Sequence, residues 1–374
     1  MSAAVLAPEA ASQWGAVLAA AAVAAVLGWL GARVVVAVAR RVGLQDVPNA
    51  RSSHTVPTPR GGGVGIVVGA IGGTLAHALF GAAGGTFGMP AWLGIAAAGA
   101  LAMVGLADDV ADLSRRWRFV AQALAATAVL LAAATPMGPD APGAMQAGNL
   151  LWPPSFTLVA GLVLLVGALW WINLFNFMDG IDGIAAMQAI FMLATGVAAA
   201  IAGGTGPLDV AEVYAIALLA ATLGFAGPNW APARVFMGDV GSLFLGVSIL
   251  FVGMHGVTRG YATPWFWAIV AGMFVSDATA TLLKRFLRGD AVTHAHRSHL
   301  YQRLARRWGS HARVTLVYLA VNVSWFLPLS LLALQFPAWG PGIAAMAWLP
   351  VMGVCWALGA GEPDDPPGTN NKAS

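Results

Sequence analysis

Apolar residues in this chain form long runs separated by short polar segments, and the lengths of these runs indicate the fold class. A helix needs roughly 17–25 apolar residues to cross the hydrocarbon core of a bilayer. Eleven runs approach that length, and they cover residues 15–38, 62–80, 91–107, 119–136, 156–172, 184–202, 210–227, 240–256, 262–283, 314–334 and 341–359. The pattern predicts an all-α, polytopic integral membrane helical bundle with about eleven transmembrane helices.

The composition supports this fold class. Of the 374 residues, 59% are hydrophobic and only 9% are charged, against about 25% charged residues in an ordinary soluble domain. The single cysteine, Cys355, excludes an intramolecular disulfide. The net charge of +3 comes without a basic–aromatic motif, so we expect no nucleic-acid partner. We expect residues 1–360 to form a single transmembrane catalytic domain and the polar residues 361–374 to form a disordered cytoplasmic tail without a function.

The basic residues orient the spans. All of the 19 Lys and Arg residues except Arg33 and Arg259 fall in alternate loops or in the C-terminal tail. Such loops are cytoplasmic under the positive-inside rule, which places the N-terminus outside and the C-terminus in the cytoplasm. Ten or twelve spans would break this segregation, so the charge pattern and the span count support each other. We also expect the first apolar run to be retained, because residues 1–13 lack the basic start of a cleaved signal peptide.

Four clusters of polar residues lie at the edges of these spans, all on the predicted cytoplasmic side. A carboxylate at the bilayer centre costs about 2.5–3.5 kcal/mol, so such residues usually face water and have a function. The clusters are Asp108 and Asp109; Asn173, Asn176, Asp179 and Asp182; Asp239; and His294, His296, Arg297 and His299. Oxygen ligands of this kind suit Mg²⁺, which bridges substrate phosphates. The sequence therefore predicts a magnesium site for phosphate chemistry.

Each acidic cluster also has a simpler interpretation. Asp108 and Asp109 repel each other unless a cation lies between them, but taken alone they fit a solvated helix cap. The Asn and Asp residues at 173–179 recur every three residues, on one side of a helix end, and the alternative is a polar break that its neighbours satisfy. Asp239 is a candidate N-cap of the eighth helix. The convergence of all the clusters on one face favours the metal site.

Two basic segments add candidate anion sites. Residues 57–63 end in Pro-Arg-Gly-Gly-Gly, where glycines at a helix N-terminus form a potential phosphate cradle and Arg60 adds charge. The loop at 284–313 carries eight basic residues, most of which a positive-inside loop explains. The histidines and arginine at 294–299 instead fit recognition of phosphate or sugar hydroxyls. No cysteine or glutamate accompanies them, which argues against a zinc site.

The motifs, in this order, resemble those of one superfamily. Asp-Asp after the third span, Asn-x-x-Asn-x-x-Asp-Gly-x-Asp-Gly at 173–183, Phe-Met-Gly-Asp-x-Gly-Ser at 236–242 and a His-x-His-Arg loop are similar to those of the polyprenyl-phosphate N-acetylhexosamine-1-phosphate transferases. The segment at 48–63 matches as well. The resemblance implies transfer of a sugar-1-phosphate from a UDP-N-acetylhexosamine to undecaprenyl phosphate, with Mg²⁺ as cofactor and UMP as the second product.

The resemblance also implies a role for each motif residue. Asp239 and Asn176 would bind Mg²⁺. Asp108 or Asp109 would serve the lipid phosphate, and Asp179 would be a third catalytic carboxylate. Phe236 would stack on uracil and Asp182 would hydrogen-bond it. The remaining residues expected to bind the nucleotide, diphosphate or sugar are Asn173, Arg60, His294, His296, Arg297 and His299.

The histidine loop bears on the branch of the superfamily. The peptidoglycan branch has three consecutive histidines and selects a muramoyl pentapeptide. Here the loop reads His-Ala-His-Arg-Ser-His, which is closer to the enzymes that initiate O-antigen and other surface polysaccharides. Phospho-N-acetylmuramoyl-pentapeptide transfer is the alternative within the superfamily. The resemblance implies a bacterial inner membrane protein with a cytoplasmic active site, and it leaves a homodimer open.

Other classes of protein fit less well. A polyprenyl-lipid or ion-coupled transporter would place its carboxylates near the middle of the bilayer and would need a polar route to both faces, whereas the outer loops here are nearly uncharged. An intramembrane aspartyl protease would use Asp239 but would not need Asn173 or Asn176. The spacing of the aspartates excludes a CDP-alcohol transferase.

Overall fold

The protein is described by a computed structural model, which covers residues 8–48, 56–80, 88–134, 154–204, 208–290 and 297–363. Within these residues it is almost entirely helical. The helices are α1 Pro8–Val42, α2 Val64–Phe80, α3 Met89–Ala111, α4 Arg115–Ala134, α5 Pro154–Phe177, α6 Ile184–Gly203, α7 Val210–Asn229, α8 Gly238–Arg259, α9 Pro264–Val270, α10 Gly272–Leu287, α11 Leu300–Trp308, α12 His311–Val321, α13 Leu327–Gln335 and α14 Gly340–Ala357. A π-helical turn, Asn322–Phe326, joins α12 to α13.

Nine segments of the described chain are long and apolar enough to cross a membrane. They are α1, α3 to α8, the continuous α12–α13 segment, and α14 with its preceding turn. α9 and α10 pass the same test only together, with a bend of 73° between them, and α2 is a shorter apolar helix of 17 residues. All eleven predicted runs fall on helices, and the predicted class, a polytopic helical membrane protein, is confirmed. The number of crossings and the sides of the termini stay predictions.

Small residues let α1, α2 and α7 approach closely. A Cβ added to Gly28 would lie 2.3 Å from the carbonyl oxygen of Ala221, and one added to Gly31 would lie 2.5 Å from the Cα of Gly65. Lipid tails are as apolar as leucine, so helices in a bilayer associate largely through such close packing. These three helices therefore form one tightly packed group beside the rest of the bundle.

The helix α8 lies at the centre of the bundle. It packs on α3, α4, α5 and α6, and most of its side chains are buried. Gly105 of α3 contacts its first turn so closely that an added Cβ would lie 2.5 Å from the carbonyl oxygen of Asp239. Exposed apolar residues mark the periphery of the bundle, as Leu162, Val163 and Val166 of α5 illustrate. The first turn of α8 is thus held by its neighbours.

The segment at 284–313, expected to be a loop, differs from that expectation. α10 continues into it, and α11 occupies nine of its residues. The buried residues of α11 have the spacing of one helix face, and they are Leu300, Tyr301, Leu304 and Ala305. The prediction of a loop throughout this segment was wrong, because a short amphipathic helix within it packs on the bundle.

The C-terminal boundary of the folded chain also differs from the expected one. Gly361 donates its N–H to the carbonyl of Ser298 at 2.8 Å, and Glu362 pairs with Lys284 at 2.7 Å. Contacts continue to Pro363, whereas residues 364–374 lie outside the described residues. The first three residues assigned to the tail therefore belong to the folded part.

Candidate active site

The N-terminus of α8 is capped by a carboxylate from another helix. Asp109, near the end of α3, accepts the N–H of Asp239 at 2.9 Å and that of Val240 at 3.1 Å. The unpaired N–H groups of a first helical turn favour such an anion. The alternative that Asp239 is itself the N-cap was wrong, since Asp239 lies inside α8 and Met237 holds the cap position without a side-chain bond.

Asp109 also binds Arg60. The Nε of Arg60 donates to Asp109 Oδ1 at 2.6 Å, and the Asp109 side chain is fully buried. A short antiparallel ladder, β1 Gln45–Asp46 with β2 Thr58–Pro59, positions the arginine directly after its second strand. The ladder thus brings a cation from the first polar loop to the N-terminus of α8.

The glycines after Arg60 do not form the expected phosphate cradle. The N–H groups of Gly62 and Gly63 donate to the carbonyls of Phe236 and Met237, each at 2.9 Å. A Cβ added to Gly63 would lie 2.3 Å from the Cα of Gly241. Gly62 and Gly63 thus contact the backbone of the segment that leads into α8, and their N–H groups are already bonded.

Asp239 lies in a polar network that four helices build. The Asn176 amide donates to Asp239 Oδ1 at 3.1 Å and to Ser242 Oγ at 2.8 Å. Arg118 Nη1 lies 2.7 Å from Asp108 Oδ2 and 3.4 Å from Asp239 Oδ2. The structure therefore brings together the two residues predicted to bind metal and one of the predicted catalytic aspartates, with side chains from α3, α4, α5 and α8.

Asp179 adds a further carboxylate beside this network. It follows α5, in the turn before α6, and is partly exposed. Enclosure by the surrounding protein, and then the negative charges of Asp239, Asp109 and Asp182, raise the pKa of Asp179 to about 7. Crowded carboxylates of this kind share a proton or a cation, because together they cannot all stay charged at low cost.

The donor set fits a magnesium ion. Two arginines, Arg60 and Arg118, face five carboxylates near the start of α8, so negative charge is in excess. The carboxylates are those of Asp108, Asp109, Asp179, Asp182 and Asp239. Mg²⁺ takes carboxylate and amide oxygens together with water. The Asn176 amide donates to Asp239 here, and the reverse orientation of the same amide presents its oxygen. These oxygen ligands, together with water, suffice for Mg²⁺ without a histidine or cysteine ligand.

Asp182 holds the loop between α7 and α8. Its Oδ2 accepts the N–H of Ala233 at 3.0 Å, and its Oδ1 lies 3.0 Å from His311 Nδ1. Phe236 is three residues further along the same loop and is half-buried. The structure therefore connects Asp182 and Phe236 through one loop, and the Asp182 carboxylate already has protein partners.

Asn173 lies on the same helix but is not part of the Asp239 network. Its amide donates to Gln122 Oε1 at 2.7 Å and to the carbonyl of Leu169 at 2.8 Å. It ties α5 to α4 and so supports the helix that carries Asn176.

A buried carboxylate of α10 holds the described end of the histidine loop. Asp277 accepts the N–H of Leu300 at 2.8 Å and that of Tyr301 at 3.1 Å. His299 is buried and stacks on Tyr301, with ring centroids 5.7 Å apart. The Tyr301 hydroxyl in turn donates to the carbonyl of Phe177 at 2.9 Å. Through these bonds the start of α11 is fixed next to the end of α5, where Asp179 lies.

The rest of the histidine loop is described only in part. Arg297 is half-buried, and its carbonyl accepts a hydrogen bond from Arg306 Nη2 at 3.0 Å. His294 and His296 lie outside the described residues. Of the four residues predicted to bind sugar and diphosphate in this loop, the structure thus places Arg297 and His299.

Three residues of the site were missed by the sequence analysis. Arg118 belongs to a basic group that was used only to orient the spans, and His311 was counted only as part of a loop. Asp277 lies inside an apolar run, and that alone was a signal, because a carboxylate within a span is costly without a partner. None of these three residues lies within the short sequence motifs that were used to predict the site.

A second acidic group lies at the opposite ends of α7 and α8. The ligand atoms of Asp209, Glu212 and His255 lie within 4.8 Å of one another, a spacing that could hold a metal ion. Arg259 Nε lies 3.7 Å from Asp209 and 3.6 Å from Glu212. Sixteen residues of α8 separate His255 of this group from Asp239, roughly 24 Å along the helix axis. It shares no residue with the predicted magnesium site.

Comparison with known proteins identifies the family. The model of the family described as Glycosyl transferase family 4 matches residues 91–257, which carry α3 to α8. The chain is 27% identical over 292 residues to a probable undecaprenyl-phosphate N-acetylglucosaminyl 1-phosphate transferase of Bacillus subtilis (strain 168), covering 76% of each chain. It is 33% identical over 260 residues to a phospho-N-acetylmuramoyl-pentapeptide-transferase of Mycobacterium avium (strain 104), covering 61% of this chain and 70% of the relative.

The chain belongs to glycosyl transferase family 4. A further relative, a decaprenyl-phosphate N-acetylglucosaminephosphotransferase of Mycobacterium tuberculosis (strain ATCC 25618 / H37Rv), is 29% identical over 335 residues, covering 81% of this chain and 79% of the relative. The suspected superfamily of polyprenyl-phosphate N-acetylhexosamine-1-phosphate transferases is thereby confirmed. As a member of family 4, the protein is a multi-pass membrane enzyme that transfers a phosphosugar.

Proposed function

We propose that the protein transfers N-acetylhexosamine-1-phosphate from a UDP-sugar to undecaprenyl phosphate, which yields an undecaprenyl-diphospho-sugar and UMP. The observation that carries the proposal is the convergence of Asp108, Asp179 and Asp239 with Asn176 and Arg118 at one end of the bundle. Neither an ion pair nor a helix cap requires such an excess of negative charge from separate elements. The product would start assembly of a surface polysaccharide such as an O-antigen.

We assign the magnesium ligands to Asp239 and Asn176. Both side chains lie at the N-terminal turn of α8, and Ser242 orders the amide from the other side. A bound Mg²⁺ would neutralise the diphosphate and stabilise the charge that builds on its bridging oxygen. Asp179, whose pKa is raised by burial and by the neighbouring carboxylates, completes the acidic wall next to the metal ligands.

The acceptor phosphate belongs next to Asp108 and Arg118 in this proposal. Two anions 4 Å apart repel by about 4 kcal/mol at an effective dielectric constant of 20, so an incoming lipid phosphate needs a cation beside it. Arg118 is one-third exposed and already bridges Asp108 and Asp239. Asp109, which is fully buried and bonded to the first turn of α8, acts as a structural anchor for the site.

The nucleotide belongs on the other side of Asp239. Phe236 would stack on the uracil ring, and Asp182 holds the loop that carries Phe236. Arg297 would bind the diphosphate and the sugar. In this arrangement the active site opens to the cytoplasm of a bacterial inner membrane, with the N-terminus outside, because the basic loops cluster on that side.

A second candidate is phospho-N-acetylmuramoyl-pentapeptide transfer. The identity of 33% to a relative with that name favours it. The relatives whose names specify N-acetylglucosamine cover more of this chain, 76% and 81% against 61%. The sequence at 294–299 also lacks three consecutive histidines. Both observations favour a simple N-acetylhexosamine.

The proposed reaction is tested by release of UMP from a panel of donors. The purified protein in detergent, with Mg²⁺ and undecaprenyl phosphate, is supplied with UDP-GlcNAc, UDP-GalNAc, UDP-6-deoxy-N-acetylhexosamines or UDP-MurNAc-pentapeptide. We expect lipid-dependent UMP release from one of the N-acetylhexosamine donors. Release from the muramoyl donor alone would establish the second candidate, and no release from any donor would refute the reaction.

A further inference from the structure

The segment that follows α14 folds back onto the substrate side of the bundle. We call residues 359–363 the C-terminal strap. Gly361 donates its N–H to the carbonyl of Ser298 at 2.8 Å, and both Ser298 and Ala360 are buried. Ser298 lies between Arg297 and His299, two residues predicted to bind substrate. The strap therefore bonds to the backbone of the histidine loop itself.

The conformation of the strap depends on glycine. Gly361 has a φ of +79°, which disfavours any residue with a side chain. A Cβ added there would also lie 2.7 Å from the carbonyl oxygen of Thr281 and 3.0 Å from the Cβ of Lys284. The strap thus passes close to α10 at the point where its N–H reaches Ser298. The close approach of Gly361 to α10 and its hydrogen bond to Ser298 therefore both depend on the backbone conformation of Gly361.

Two cations fix the strap to separate helices. Lys284 of α10 donates to Glu362 Oε1 at 2.7 Å. Arg303 of α11 donates to the carbonyl of Pro363 at 2.8 Å, and its Nη2 lies 3.5 Å from Glu362 Oε2. These two cations hold the pKa of Glu362 below its usual range. The strap is therefore bonded to both helices that border the histidine loop.

The end of the histidine loop is consequently held from two sides. Asp277 bonds the N–H groups of Leu300 and Tyr301, while Gly361 bonds the carbonyl of Ser298. We propose that the C-terminal strap is a positioning element for sugar-donor binding, which holds residues 297–303 in the conformation that meets the nucleotide sugar. The proposal rests on the proposed function, because it takes Arg297 as a donor-binding residue.

The test compares Glu362→Gln and Gly361→Val with the native full-length enzyme. We expect the KM for the UDP-sugar to rise about two- to fivefold for Glu362→Gln, the range of a partly exposed ion pair. For Gly361→Val we expect a rise of about tenfold, because a β-branched residue is strained at positive φ. The KM for undecaprenyl phosphate should change less than twofold. Glu362→Asp, which keeps the charge, should restore most of the donor affinity.

A matched control removes an ion pair just beyond the C-terminus of α10. Asp290→Asn breaks the pairs with Arg288 and Arg285, which contain no residue of the strap, and it should leave both KM values within twofold of native. Hydrogen exchange of a peptide covering residues 297–308 gives a readout that needs no activity. We expect faster exchange in both strap variants and native exchange in Asp290→Asn.

The outcomes separate this proposal from the reaction assigned above. Native donor KM and native exchange in Glu362→Gln would overturn the positioning role, whether or not Gly361→Val folds. Equal rises in the KM of donor and lipid would overturn it too, since they indicate a general loss of structure. If the native enzyme releases no UMP, the proposed function fails, and faster exchange in the variants would still show that the strap orders the loop.

Discussion

At its N-terminus α8 meets carboxylates from other helices, whereas at its C-terminus it meets carboxylates from a single turn of α7. Asp209 and Glu212 form a capping box: Asp209 accepts the N–H of Glu212 at 3.0 Å, and the Glu212 carboxylate accepts the N–H of Asp209 at 2.9 Å. His255 and Arg259 of α8 pair with these same two carboxylates. The two ends therefore contain similar residues in different arrangements.

The arrangement shows which acidic cluster carries an excess of negative charge. At the C-terminal end of α8, which we call the outer end, the carboxylates bond to backbone groups of their own helix and face two basic side chains. At the N-terminal end of α8, which we call the inner end, Asp239 is one-fifth exposed, its neighbours come from α3, α4 and α5, and carboxylates outnumber arginines. An excess of negative charge built from separate helices is costly unless a cation binds there.

The largest effect should follow from removing the charge at the inner end. Asp239→Asn keeps the side-chain volume, so we expect the thermal midpoint to stay within a few degrees while kcat falls by about 10²–10³-fold or more. UMP release at ordinary Mg²⁺ concentration measures the change, with Asp209→Asn at the outer end as the comparison. Turnover near the native rate in Asp239→Asn would remove Asp239 from the metal site.

A smaller effect is expected at the arginine that bridges Asp108 and Asp239. Arg118→Met removes the cation proposed to meet the lipid phosphate, so kcat/KM for undecaprenyl phosphate should fall by about 10²-fold. Arg118→Lys keeps the charge and should lose less. The outer counterpart, Arg259→Met, should leave this ratio within twofold. A similar fall for both arginines would mean that the two ends do not differ in function.

The pH dependence offers a third test of the inner end. The pKa of Asp179 is raised to about 7, so its carboxylate is charged above that pH and protonated below it. If the charged form is required, the rate in the native enzyme rises with pH through this value and falls by about tenfold per unit on the acid side. Bound Mg²⁺ would move the transition to lower pH. Asp179→Asn should be slower and should lack this transition; an unchanged profile would contradict the assignment.

The smallest effect is expected at the outer end. Asp209→Ala removes the N-cap of α7, which costs about 1 kcal/mol of stability and lowers the thermal midpoint by about 1–3 °C in a protein of this size. UMP release should stay within twofold of native. Asp209→Ser retains a capping oxygen without the charge and should recover most of the midpoint. A loss of activity above tenfold in Asp209→Ala would indicate that the outer cluster has a catalytic role.

Much of the fold was predictable, because hydropathy alone identifies long apolar helices. The bend between α9 and α10 was not, since residues on both sides of Ala271 are apolar and the run continues without interruption. Gly272, just after the bend, packs so closely on the ring of Phe326 that an added Cβ would lie 2.1 Å away. That contact joins positions more than fifty residues apart, and no local pattern contains it.

The site was predictable as a set of residues but not as a set of contacts. Motif spacing selected Asp108, Asp109 and Asp239 together, yet only the packing of α3 on α8 shows that Asp109 bonds the first turn of α8. Arg118 was not identified as a site residue, because the positive-inside rule alone explains basic residues near the end of a span. In both cases the information lies in helix–helix contact.

The contacts of Gly63 and Gly105 with the first turn of α8 have a consequence for how this enzyme can be re-engineered. At these points the wall of the site is main chain, so the position of the Asp239 backbone cannot be adjusted by exchanging neighbouring side chains. In the proposed function, donor preference is instead set by the segment between α10 and α12, to which Gly361 of the C-terminal strap and Asp277 are bonded. If that proposal holds, we expect a donor-recognition segment grafted from a relative to require its own strap.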